Sequence, residues 1–140
     1  MRLVLDTNIW LDWLIFGEPD IAPLQSTVAA GRAQIIINAA CEEELIRVLA
    51  YPLQRWTIDA EQQAACLEQC RGIATMVDIS CAAALPRCAD PDDQKFLELA
   101  SAAKAGWLIT LDRELLALAR HHARLGFHIV TPAEFASRAA

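Results

Sequence analysis

The chain is short of lysine, glycine and tyrosine: its 140 residues hold only Lys95 and Lys104, five glycines and one tyrosine. Base is scarce overall, with 12 Lys and Arg against 18 Asp and Glu, a net charge of −6. The pI is near 4.9. That balance argues against gripping nucleic acid by bulk positive charge. It leaves open a negative pocket that gathers divalent cations, because bound ions invert the local field. Uninterrupted apolar runs are short, such as Ile35-Ile36-Ile37, far below the ~18 residues of a membrane span. The opening Met1-Arg2-Leu3-Val4-Leu5 meets Asp6 at once, too soon for a signal peptide. Cys41, Cys66, Cys70, Cys81 and Cys88 are odd in number and contain no Cys-x-x-Cys pair. They read as small buried residues of a reducing compartment, including Cys66 and Cys70 one helical turn apart, and no zinc site is expected. A soluble cytoplasmic protein is expected.

What is present is enough apolar residue, 55%, to build one core without staples. No repeat, linker or composition break divides residues 1–140, so a single domain is expected. Leu3-Val4-Leu5 reads as the first strand, with a helix from about Thr7 to Phe16 closed by Gly17 and another from Asp20 to Ala30 stopped by Gly31. Gln34–Asn38 is the second strand, followed by a helix from Cys41 to Tyr51 and a further one from Asp59 to Ala74. Met76–Ile79 is a third strand, and a loop over Ser80–Ala89 leads to Asp90-Pro91-Asp92-Asp93, a helix start with proline at its first position. That helix runs to about Ala105. Trp107–Thr110 and Phe127–Val130 are strands flanking a helix at Arg113–Arg120, and Pro132 opens a last one. The alternation predicts an α/β fold: a three-layer α/β/α sandwich with a mostly parallel five-stranded sheet.

In such sheets function gathers at the carboxyl ends of the strands. Asp6 ends the first strand and Asp112 follows the fourth, so both arrive at one edge. A single acid there is commonly a helix N-cap; two at one edge are harder to dismiss. Asp93 falls within about 60° of the stripe of Phe96, Leu97, Leu99 and Ala100, on the inward side of its helix. Capping accounts well for Asp90 and Asp92 and less well for Asp93. In the run Glu42-Glu43-Glu44, Glu43 points away from the core stripe, and periodicity does not choose between Glu42 and Glu44. Carboxylates converging without His or Cys suit Mg²⁺ or Mn²⁺. Spacing alone reaches an acidic metal site and stops there.

Four stretches, taken together, resemble the PIN-domain ribonucleases, in particular a bacterial branch described as toxins of toxin–antitoxin pairs. They are Leu3-Val4-Leu5-Asp6-Thr7-Asn8, Glu44-Leu45-Ile46-Arg47-Val48-Leu49 with Pro52, Asp90 to Ala100, and Leu108-Ile109-Thr110-Leu111-Asp112. The ending Ile129-Val130-Thr131-Pro132-Ala133-Glu134-Phe135 is similar to that branch as well. The resemblance selects Glu44 over Glu42 and implies a Mg²⁺- or Mn²⁺-dependent endoribonuclease. Asp6, Glu44, Asp93 and Asp112 are then the catalytic metal ligands, with Asn8 and Thr110 orienting carboxylates or bound water. It also implies RNA as substrate, with products carrying a 5′-phosphate and a 3′-hydroxyl, and an antitoxin partner. One departure is Ala39-Ala40, where the branch often carries a serine shortly before its second acid.

Lys95 and Arg113 are the nearest basic candidates for a substrate phosphate, although lone charges are more often solvated. A haloacid-dehalogenase-type phosphatase wants an acid at the position of Asn8, and a receiver domain wants an acidic pair and a late lysine; neither pattern is present. The remaining alternative is a non-catalytic PIN-like module that binds RNA or protein. Trp10, Leu11, Trp13, Leu14 and Phe16 crowd one helix, either as a homodimer seam or as internal packing.

Overall fold

The computed structural model describes residues 1–52, 57–81 and 83–138. Ala82 in the expected loop and the last two residues of the expected domain lie outside them. Five short strands build the sheet: β1 Arg2–Leu5, β2 Gln34–Ile37, β3 Ala74–Met76, β4 Trp107–Ile109 and β5 His128–Val130. Their order is β3-β2-β1-β4-β5 and every pairing is parallel. Buried on both faces, the inner strands are runs of apolar residues instead of alternating ones, as in Leu3-Val4-Leu5 and Ile35-Ile36-Ile37.

Between them lie α1 Thr7–Leu11, α2 Ala22–Ala29, α3 Ala39–Leu49, α4 Ala60–Ile73, α5 Gln94–Ala102, α6 Arg113–Leu116, α7 His122–Leu125 and α8 Pro132–Arg138. This is the α/β sandwich the alternation predicts. Among the described residues, no helix is long and apolar enough to cross a membrane.

Several boundaries differ from expectation for local reasons. The first helix widens into a π-helical turn over Asp12–Phe16 before Gly17, at φ 61°, ends it. Helix α3 starts two residues early because the Asn38 side chain accepts from the Cys41 backbone N–H at 3.0 Å. Strand β3 begins where α4 stops, at Ala74, upstream of the expected Met76–Ile79; Ile79 lies outside the strand and is exposed. The expected helix at Arg113–Arg120 is broken into α6 and a 3₁₀ turn, and α7 follows up to Gly126 at φ 86°.

The chain lays down β1, β2 and β3 outward in one direction and then returns to the other side of β1 for β4 and β5. The reversal falls between β1 and β4. Trp10 and Leu11 are buried in the core, and Trp13 stacks obliquely against Trp10 with centroids 6.0 Å apart. The crowded early helix is therefore used, at least in part, for internal packing.

Candidate metal centre

Register sets the first contact of the site. Leu5 pairs with Ile109 across β1 and β4, so the next residues, Asp6 and Thr110, leave the sheet side by side. The Asp6 backbone N–H donates to the Ile109 carbonyl at 3.0 Å. The buried Thr110 hydroxyl donates to Asp6 Oδ2 at 2.7 Å and accepts from the Asp112 backbone N–H at 2.9 Å. One hydroxyl thus ties the two strand-end acids together. Asp6 stands at the N-cap position of α1 yet makes no capping hydrogen bond. Asp112 does cap: its Oδ1 accepts from the backbone N–H groups of Glu114 at 2.8 Å and Leu115 at 3.4 Å.

Asp93 comes in from the side. Pro91–Asp93 form a single 3₁₀ turn ahead of α5, capped by Asp90, whose side chain accepts from the Asp92 N–H at 3.0 Å. The turn carries Asp93 inward while Asp92 stays exposed. Asp93 is only 9% exposed, and its Oδ2 is buried without a hydrogen-bond partner. A buried, unpaired carboxylate oxygen is costly. Burial first, then the charges of Asp6 and Asp112, a carboxyl–carboxyl contact with Asp112 and the charge of Asp90 push Asp93 up to about 7. Burial likewise raises Asp6, partly opposed by the Thr110 and Thr7 hydrogen bonds, with Asp112 and Glu44 adding to the rise.

The three glutamates on α3 divide their work as the helical wheel allows. Glu42 is buried and forms an ion pair with Arg71 of α4 at 2.8 Å. Glu43 is exposed. Glu44 turns to the site, accepting from the Thr7 hydroxyl and pairing with Lys95 Nζ at 2.6 Å. Lys95 is thus not the lone solvated charge its sequence context implies. It already neutralises Glu44, and it belongs to the first turn of α5, two residues beyond Asp93. Asn8 is exposed in the first turn of α1 and makes no side-chain hydrogen bond among the described residues. Ala39 and Ala40 are exposed and line a separate groove of about 460 Å³ with Met76–Ile79.

Two neighbours escaped the sequence reading. Cys88 and Glu114 each place a ligand atom within 4.8 Å of the other and of an Asp93 oxygen. Glu114 follows Asp112 by two residues inside a capped helix start, where an acid ordinarily answers the helix dipole. Cys88 lies in an irregular loop with no periodicity to betray its direction.

An all-parallel α/β sheet with a reversal between β1 and β4, and buried carboxylates at that reversal, defines an acidic-crevice domain of the kind that holds divalent cations. The family model of the PIN domain matches residues 2–114. The chain therefore belongs to the PIN-domain family. None of the curated proteins matches it. Among solved structures, a chain of the crystal structure of VapBC2 from Rickettsia felis bound to a DNA fragment from their promoter is similar in fold. Its TM-score is 0.61 at 15% identity, over 94% of this chain and 98% of that one.

Proposed function

We propose that this chain is a metal-dependent endoribonuclease that hydrolyses RNA phosphodiester bonds in the cytoplasm, as the toxin of a toxin–antitoxin pair. The observation that carries the reading is the buried, unpartnered Asp93 oxygen beside Asp6 and Asp112. Those all-oxygen donors fit a hard divalent ion, Mg²⁺ or Mn²⁺. Asp6, Asp93 and Asp112 would hold it, with Glu44 as the fourth ligand. A cation held there would supply the activation of water and the neutralisation of charge on the leaving oxygen.

The chain's own groups then have separable tasks. Thr110 keeps Asp6 and the Asp112 backbone in register. Lys95 holds Glu44 in place through its ion pair and sits where an RNA phosphate would compete for it. Exposed Arg113, at the start of α6, is a second phosphate contact, and exposed Asn8 is free to meet substrate. Membership of the PIN family and the fold shared with the VapBC2 chain support the toxin reading and an antitoxin partner.

The test is cleavage of end-labelled RNA with Mg²⁺ or Mn²⁺. Cleavage is expected to vanish with EDTA and with Asp6→Asn; activity that survives Asp6→Asn would sink the assignment. The ion pair and hydrogen bond that occupy Glu44 favour one alternative, a non-catalytic RNA- or protein-binding module. RNA affinity without any Mn²⁺ binding would select it.

A further inference from the structure

Beside the crevice, and independent of whether it cuts RNA, lies a donor set of different chemistry. Cys88 is buried with a free thiol, Asp93 is more than nine-tenths buried, and Glu114 is exposed at the rim. Their ligand atoms lie within 4.8 Å of one another. An ion bonded at about 2.3 Å to sulfur and about 2.0–2.2 Å to oxygen needs only a small closure of such a triad. Glu114 makes no side-chain hydrogen bond among the described residues and is free to supply that closure.

The thiol is held in position from outside the triad. Gln94, buried at the start of α5, accepts from the Cys88 backbone N–H at 2.8 Å through Oε1 and donates to the Pro86 carbonyl at 3.2 Å through Nε2. Both ends of one buried amide are spent on fastening this loop next to Asp93. The Cys88 backbone is thereby fixed beside an Asp93 carboxylate that is more than nine-tenths buried and whose Oδ2 has no protein partner. A carboxylate has two oxygens, so Asp93 is able to serve this triad and the crevice together.

We propose that Cys88, Asp93 and Glu114 form a binding site for a thiophilic divalent transition ion of the zinc class, adjoining the acidic crevice and sharing Asp93 with it. This revises the expectation that the cysteines hold no metal. Sulfur sets the preference: thiolate favours Zn²⁺ or Co²⁺ over Mg²⁺, which seeks oxygen alone. Three protein ligands leave a coordination position open. On ligation the Cys88 thiol proton passes to solvent and the sulfur–metal bond forms.

The experiment titrates the metal-stripped full chain with Co²⁺ and follows the thiolate-to-cobalt charge-transfer absorption. A saturable band is expected that Zn²⁺ displaces and Mg²⁺ does not. Cys88→Ser abolishes it, and Cys81→Ser, outside the triad, keeps it. Glu114→Gln, an exposed change verified as folded by circular dichroism, weakens Co²⁺ binding at least about tenfold. No band in the wild type, or one undiminished in folded Cys88→Ser, overturns the site. Should Cys88→Ser lose its fold, unchanged Co²⁺ affinity in Glu114→Gln overturns it equally.

Discussion

Burial makes Asp93 sensitive to pH and, under the proposed function, to cations as well. Its carboxyl sits at about 7 against an ordinary 3.8, so the folded chain binds more protons than the unfolded one between those values. Stability then falls as pH rises through that window, and the loss is complete above the folded value. Asp93→Asn removes this part of the slope. Above the window the metal-free variant should melt higher than wild type, by about 3 °C or more if the relief is of order 1 kcal/mol. It should also lose the protection that Mn²⁺ gives the wild type. Thermal melts at several pH values, with and without Mn²⁺, check both halves. Thr110→Val is the complementary change. It strands Asp6 Oδ2 in a buried position and leaves the part-buried Asp112 N–H unpaired, costing about 1–3 kcal/mol in urea unfolding, with Thr110→Ser restoring most of it. Asp6 and Asp112 were legible from their places after apolar runs, and Asp93 from its angle on the helix. The engagement of Glu44 by Lys95 was not: the partners are 51 residues apart, and no local pattern records such a pairing.

Elements show where local sequence is enough and where neighbours decide. Helix α5 ends without glycine at the turn. Lys104 takes φ 53°, while its N–H donates to the Ser101 carbonyl and that of Ala105 to the Ala100 carbonyl. The expected end at about Ala105 falls too late, because the chain turns out of the helix at a left-handed lysine, Lys104. Lys104→Gly should relieve roughly 1 kcal/mol of backbone strain, partly offset by chain entropy, and raise the melting temperature. Helix α3 carries a second contrast. Glu42→Ala opens an ion pair whose arginine is largely exposed, so a cost below about 1 kcal/mol is expected. RNA cleavage should be unchanged. Glu44→Gln, two residues on, should abolish cleavage while leaving the fold intact by circular dichroism. Strand β3 lies upstream of its expected place and the break after α6 left no sign in the sequence, because edge strands and short turns owe their bounds to packing more than to period.

At the scale of the molecule, alternation of strands and helices made the sheet legible, but strand order is a tertiary property. The carboxyl-end rule was sufficient to bring Asp6 and Asp112 together without knowing that β1 and β4 are adjacent. Ligand binding to the folded state alone raises its stability by mass action, about 2.7 kcal/mol at a hundred times the dissociation constant. Mn²⁺ should therefore raise the melting temperature of wild type in a concentration-dependent way, and calorimetry should show the effect gone in Asp6→Asn. The pairing of Leu3 with Trp107 spans most of the chain, and contacts of such separation form slowly because loop closure precedes any reward. Made on a ribosome, the first hundred residues carry Asp6, Glu44 and Asp93 but lack β4, so Thr110 is not yet there to meet Asp6. The middle of the sheet and the crevice beside it are completed only when β4 arrives, and under the proposed function a chain stalled before it is expected to cleave no RNA.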